Sequence, residues 1–223
     1  MVLRAEGVSK RYFRNSKQAN FFYAIRDIHF TLEAGTLTEI TGRSGSGKST
    51  LLNVLAGLLE PTEGKVFLDD VDLYSLADAP RSELRNRCVS VVPQGQTGLH
   101  SLTVLENVKL PYWLYGETVS DEEAMARLEQ VGIAALRDAY PNELSGGEMR
   151  RLAIARALIR RPGILLADEP TGDLDDENTR IVLSLLKATA EEGTAVLLVT
   201  HEQEAAAYAD RVFRMNEGSL TEA

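Results

Sequence analysis

The sequence holds a single cysteine, Cys88, so no intrachain disulfide can form and no staple can replace a core. Cys88 sits in the apolar run CVSVV and is expected to be a small core residue of a strand. Basic residues are also in deficit. Lys and Arg number 24 against 33 Asp and Glu, a net charge of −9. That argues against a nucleic-acid partner, which needs a basic face for its phosphates. It leaves nucleotide binding open, because a nucleotide is held by a few local groups. No apolar run approaches the ~20 residues of a membrane span. The opening MVLRAEGVSKRY lacks the apolar stretch of a secretory signal. The chain is therefore expected on the cytoplasmic side, unable to cross a membrane alone. Internal repeats, low-complexity tracts and coiled-coil heptads are missing as well.

What is present is ordinary globular material. The 223 residues are 44% hydrophobic and 26% charged. A chain of this length buries about 70% of its unfolded surface. Short β-branched runs alternate with helical patterns. TLTEITG (36–42), VSVVPQ (89–94), ILLADEP (164–170) and AVLLVTH (195–201) read as strands that end in polar residues. STLLNVLAGLL (49–59) reads as the helix after the first of them. The pattern predicts an α/β fold with a mostly parallel sheet and ligands at the strand C-termini. The N-terminus differs: LRAEGVSKRYF (3–13) and IRDIHFTLEAG (25–35) read as antiparallel strands joined by polar RNSKQAN. The middle differs again. Segments 103–110, 120–131 and 146–159 all read as helices, which places a helical insertion at 95–160 between core segments 1–94 and 161–223. The second of these helices is expected to carry a capping box, Ser120 with Glu123, and an i,i+4 pair of Glu123 with Arg127.

The chemistry concentrates in a few places. GRSGSGKST comprises Gly42, Arg43, Ser44, Gly45, Ser46, Gly47, Lys48, Ser49 and Thr50. It is a P-loop, G-x-x-x-x-G-K-S, between a strand and a helix. The glycines let backbone N–H groups curl around phosphate oxygens. Lys48 reaches the β- and γ-phosphates of a nucleotide, and the Ser49 hydroxyl binds Mg²⁺. Asp168 and Glu169 end a buried strand. The first suits Mg²⁺, the second suits orienting or deprotonating an attacking water. The rival reading is an acidic turn before a helix. Gln94, at another strand end, can touch Mg²⁺ or that water, or be an ordinary loop amide. His201 ends a third strand, and a hydrogen-bonded structural histidine is its alternative. His29 and His100 have no motif around them and read as structural. Tyr12 can stack on an adenine or sit in the core, with Phe13, Phe21, Phe22 and Tyr23 as rivals. ELSGGEMRRLAIARAL (143–158) reads as a helix opening on Ser-Gly-Gly, whose unpaired N–H groups and dipole suit a second anion.

Taken in order, the P-loop, Gln94, LSGGE, LLADEP and His201 resemble the ATP-binding subunit of ABC transporters over essentially the whole chain. The resemblance implies a P-loop NTPase (RecA-like) core with an antiparallel β subdomain and an α-helical subdomain. It makes Tyr12 the adenine-stacking aromatic, Gln94 the Q-loop, 172–175 the D-loop and His201 the switch histidine. It implies an ATPase that pairs head to tail with a second copy of itself. Ser145, Gly146 and Gly147 of one chain would contact the γ-phosphate held by the other. It implies an integral membrane partner at the cytoplasmic face of the membrane. That partner is expected to dock near 94–106, where the chain leaves the core for the helical insertion and carries Leu99, His100 and Leu102 in a loop; a solvent-facing connection is the alternative reading. SLTVLENVKLP (101–111) and DEPTGDLD (168–175) look like the lipoprotein-releasing, macrolide-exporting and cell-division group. Met149 and Arg150 stand where that family favours glutamines, and Pro93 where it favours an aromatic. A regulatory ATPase working a signalling or cell-wall-remodelling membrane partner without transport is the alternative. A soluble ABC ATPase of translation or DNA repair is disfavoured by the single cassette, the acidic charge and the missing coiled coil.

Overall fold

Leu3, Ala5 and Val8 turn inward along β1 (Leu3–Phe13), and Ile25, Ile28, Phe30 and Leu32 do so along β2 (Phe21–Leu32). The structure, a computed structural model, describes residues 1–13, 21–95 and 98–223. The polar joint expected at RNSKQAN lies outside the described residues. β2 starts four residues earlier than its apolar pattern suggested, because its pairing with β1 runs on to Phe13 opposite Phe21.

β3 (Leu37–Thr41) enters the P-loop, and α1 (Lys48–Leu55) leaves it. α1 ends four residues short of expectation. The N–H of Leu58 falls on the Asn53 carbonyl at 2.9 Å, which unwinds the next turn. β4 (Glu63–Leu68) and β5 (Val71–Asp72) then complete an antiparallel sheet ordered β2-β1-β4-β5. α2 (Asp78–Cys88) runs straight into β6 (Val89–Val92). Cys88 is therefore the last residue of a helix and half-buried, not a strand core residue. The strand begins one residue later, and burial pushes the Cys88 thiol pKa up.

Three helices follow: α3 (Val104–Trp113), α4 (Asp121–Gln130) and α5 (Gly146–Leu158). They pack on one another within the segment expected to be a helical insertion. Thr103 caps α3 with a reciprocal Glu106. Ser120 caps α4 by accepting the Glu123 N–H, but Glu123 does not return the bond. The expected Glu123–Arg127 pair is also absent. Glu123 reaches across to Arg161 at 3.4 Å, and Arg127 donates to Gln130 at 2.7 Å.

β7 (Ile164–Asp168), α6 (Asp176–Glu191), β8 (Ala195–Thr200), β9 (Arg211–Asn216) and β10 (Ser219–Glu222) close the chain. The second sheet is ordered β10-β9-β3-β8-β7-β6 and is parallel except for the β9–β10 hairpin. β7 and β8 are buried at every position, as strands covered on both faces must be. One face packs Leu37, Leu165, Val196 and Leu198 against α5 and α6. The other packs Ile40, Leu166, Leu197 and Val199 against α1 and the antiparallel sheet. This sandwich fixes the C-terminal ends of β3, β7 and β8 side by side.

Candidate active site

The first fixed point is the P-loop backbone. Gly47 has φ 109°, and a Cβ there would stand 2.2 Å from the Ala24 carbonyl oxygen, so only glycine fits. α1 starts without a side-chain cap and without an acidic residue in its first turn. Its free N–H groups and positive dipole end are therefore left for an anion. Lys48 is buried, and its ammonium donates to the carbonyls of Gly42 at 2.7 Å and Arg43 at 3.2 Å. These contacts pin the cation at the mouth of the loop.

The ends of β7 and β8 supply the opposing acids. The Ser49 hydroxyl donates to Asp168 Oδ1 at 3.2 Å. Burial raises the Asp168 pKa above the ordinary carboxylate range, and neighbouring Glu169 adds to the rise, while Ser49 and Lys48 oppose it. Glu169 takes φ 48°, a left-handed conformation uncommon for a residue with a Cβ, and its N–H is held by the Val199 carbonyl at 2.8 Å. One carboxylate oxygen lies 3.8 Å from Lys48 Nζ, and the other lies 2.8 Å from His201 Nδ1. The acid thus bridges the P-loop lysine and the strand-end histidine.

These groups open onto one cavity of about 800 Å³. Of the residues singled out from sequence, Tyr12, Arg43, Ser44, Gly45, Gly47, Lys48, Ser49, Thr50, Gln94, Glu169 and His201 line it. Gly42, Ser46 and Asp168 stand behind the lining. Gly42 acts through the Lys48 contact and Asp168 through Ser49. Ser46 is buried with a hydroxyl that has no partner among the described residues. Phe22, Tyr23, Ala24, Glu217 and Gly218 also line the cavity. Phe22 and Tyr23 were legible only as rivals of Tyr12. Glu217 and Gly218 carry no motif. They arrive because the Gly218 N–H donates to the Ser46 carbonyl at 2.9 Å and its own carbonyl accepts from Arg26. Ser49, Asp168 and Gln94 offer a hydroxyl, a carboxylate and an amide oxygen, the hard oxygen donors that suit Mg²⁺.

Ser145, Gly146 and Gly147 do not line this cavity. Ser145 and Gly146 are exposed and Gly147 is buried. A Cβ on Gly147 would stand 2.2 Å from Asn178 Oδ1, so α5 and α6 meet there at glycine distance. The start of α5 is not as bare as the sequence suggested. Glu148 Oε2 accepts from the Ser145 N–H at 2.8 Å and hydroxyl at 2.7 Å, which holds the Glu148 pKa low. The N–H groups of Gly146 and Gly147 remain without partners among the described residues. One further link joins this helix to the cavity. Arg150, buried in α5, donates to the carbonyls of Pro93 at 3.0 Å and Gly95 at 3.3 Å, on either side of Gln94.

Comparison with known proteins agrees with this geometry. The family pattern described as ABC transporter matches residues 25–172. The chain is 40% identical to the lipoprotein-releasing system ATP-binding protein LolD of Xanthomonas axonopodis pv. citri, over 99% of this chain and 91% of that one. It is 38% identical to the ABC transporter ATP-binding protein MJ1508 of Methanocaldococcus jannaschii, over 99% and 98%. Among solved structures, a dimeric post-hydrolysis state of the ATP-binding cassette MJ0796 bound to ADP and Pi superposes with a TM-score of 0.91 at 34% identity, covering 99% of this chain and 97% of that one. The chain belongs to the ABC transporter family, as one of its ATP-hydrolysing cassette subunits.

Proposed function

We propose that this subunit works as a head-to-tail pair around two ATP molecules and drives an integral membrane partner of the lipoprotein-releasing or macrolide-exporting kind. The observation that carries the reading is the division of the site. The P-loop, Asp168, Glu169 and His201 converge on one cavity, while Ser145 and Gly146 at the start of α5 are exposed outside it. A second copy is what would bring that helix start to the first copy's cavity, as the dimeric cassette MJ0796 makes plausible.

The residues then divide the work. The α1 N-terminus and the 42–50 loop hold the phosphate chain, and Lys48 neutralises its β- and γ-phosphates. Ser49, Asp168 and Gln94 would hold Mg²⁺, which supplies charge neutralisation on the transferring phosphoryl group. Glu169 accepts a proton from the attacking water, and His201 orients the Glu169 carboxylate through Nδ1. Ser145, Gly146 and Gly147 of the partner copy close the site over the γ-phosphate. The cavity provides a nucleotide-sized space whose aromatic end receives the base.

The membrane partner docks near 94–106; residues 96 and 97 of this segment lie outside the described residues. Asn107, fully buried, supports that surface. Its amide donates to the carbonyls of Leu99, Leu102 and Thr103 and accepts from the Leu99 N–H. This fixes a loop on which Leu99 stays exposed. Docking there puts the subunit at the cytoplasmic face of the membrane. Among the described residues, no helix is long and apolar enough to cross a membrane.

Glu169→Gln tests the pairing. The amide keeps the size of the carboxylate but takes no proton at neutral pH. The variant should bind ATP, hydrolyse it very slowly and accumulate as a dimer by light scattering. Adding Ser145→Arg should return it to monomer, because the long side chain blocks the α5 start. A Glu169→Gln protein that binds ATP and stays monomeric, alone and with its membrane partner, would refute the trans arrangement.

A further inference from the structure

Glu202 occupies the N-cap position of a short 3₁₀ helix, Gln203–Ala207, yet its side chain does not cap that helix. A polar side chain at such a position ordinarily takes one of the first free N–H groups of its own helix. This one turns back across the fold. Its carboxylate accepts from the hydroxyl of Thr171, in the turn that follows β7. Its N–H donates to the Thr200 hydroxyl, at the end of β8, at 3.1 Å. Thr171 and Thr200 are both fully buried, so packing holds the two groups that hold Glu202.

The residue before Glu202 is His201. Its side chain is 65% exposed, and its ring makes one polar contact among the described residues, Nδ1 to Glu169 Oε2 at 2.8 Å. Packing does little to place a ring so exposed, and the backbone that carries it must do so. On one side β8 is buried at every position up to Thr200. On the other side the 3₁₀ helix buries only Ala205. Between those two points the Glu202 carboxylate ties the chain to the turn after β7. The same two segments are thus joined twice: His201 meets Glu169, and Glu202 meets Thr171. Neither Glu202 nor Thr171 lines the cavity.

On the reading that His201 orients the Glu169 carboxylate, we infer that Glu202 is a positioning residue of the hydrolytic site. Anchored on Thr171, it holds the backbone of His201 where the imidazole reaches Glu169. It touches neither nucleotide nor attacking water, and it acts through His201 alone.

ATP turnover of the full chain, ADP affinity by calorimetry and nitrogen NMR of the histidine-labelled protein test this together. The chain has three histidines, so the His201 signal is assigned by its loss in His201→Ala. Glu202→Ala and Thr171→Val should each lower kcat by about ten- to a hundredfold, the scale of a small misplacement of a reacting group. ADP affinity should stay at the wild-type value, because the P-loop is untouched. The double variant should be no slower than either single one, since both cut the same bond. Glu202→Gln keeps an oxygen that accepts from Thr171, so it should restore most of the turnover. The His201 Nδ1 signal should move towards that of a free imidazole in Glu202→Ala and Thr171→Val, and stay in place in Glu202→Gln. Wild-type kcat in both Glu202→Ala and Thr171→Val would overturn the anchor. So would a loss of turnover with the His201 signal unmoved, which reports damage elsewhere. A His201→Ala protein with wild-type turnover would instead sink the role of His201 itself, and the Nδ1 signal then decides the anchor alone.

Discussion

Glu39 lies in the middle of β3, between Leu198 of β8 and Val212 of β9, and is 1% exposed. Its Oε2 has no hydrogen-bond partner among the described residues, and burial alone raises its pKa above 4.5. It shares a sheet face with Leu37, which packs against the α5–α6 layer. A buried polar group left unpaired costs about 1–3 kcal/mol. Glu39→Met keeps the length of the side chain and removes that cost, so the variant should be more stable by about 1–3 kcal/mol at pH 7. At about 2–4 °C per kcal/mol for a chain of this size, the melting temperature should rise by roughly 2–12 °C. The pH dependence has a definite sign. A carboxyl whose folded pKa is raised binds its proton more tightly when folded. Its contribution is then fully present below the unfolded pKa and is lost as pH rises through the folded one. The advantage of Glu39→Met over the wild type should therefore shrink as pH falls from 7 towards 4.5. Urea titrations of both proteins across that range read the difference, and other titrating groups cancel. A variant less stable than wild type at pH 7, or a difference that does not change with pH, would refute the reasoning.

Lys48→Ala should abolish ATP turnover while leaving far-ultraviolet circular dichroism unchanged, since the lysine's contacts are confined to the P-loop mouth and Glu169. Asp168, with its pKa raised, should lose Mg²⁺ as pH falls through a range above that of an ordinary carboxylate. The apparent Mg²⁺ requirement of the ATPase should rise towards acid, and a flat requirement down to pH 5 would contradict this. Gly147→Ala should leave ADP binding by a single chain intact but weaken ATP-dependent pairing of the Glu169→Gln protein. The new methyl must push Asn178 away from the α5 start, and light scattering reads the loss. Cysteines placed along 98–106 should crosslink to the membrane partner in native membranes; none doing so would move the docking surface elsewhere.

What the sequence determined is what chain neighbours decide among themselves. The P-loop works because Gly42 to Thr50 are contiguous: the turn, the lysine and the hydroxyl arrive together whatever surrounds them. The apolar runs before Asp168 and His201 likewise had to be buried strands, and they deliver polar groups at their ends. The resemblance to a cassette followed from such local motifs in order. Register and strand order belong to the tertiary structure. The alternation of β1 cannot say whether Tyr12, Phe13 or a ring of β2 faces the cavity until the cross-strand pairing is fixed. Glu217 and Gly218 reach the P-loop only because β9 lies beside β3. Arg150 looked like a departure from a motif, and only the fold turns it into the tie between α5 and the backbone around Gln94. The helix opening on Ser-Gly-Gly was visible as an anion-binding start. That Glu148 folds back to cap part of it follows from the Ser-x-x-Glu spacing of a capping box, but that the helix start stands apart from its own chain's cavity depends on the placement of α5. Those are distances between residues far apart along the chain, and neither periodicity nor motif spacing encodes them.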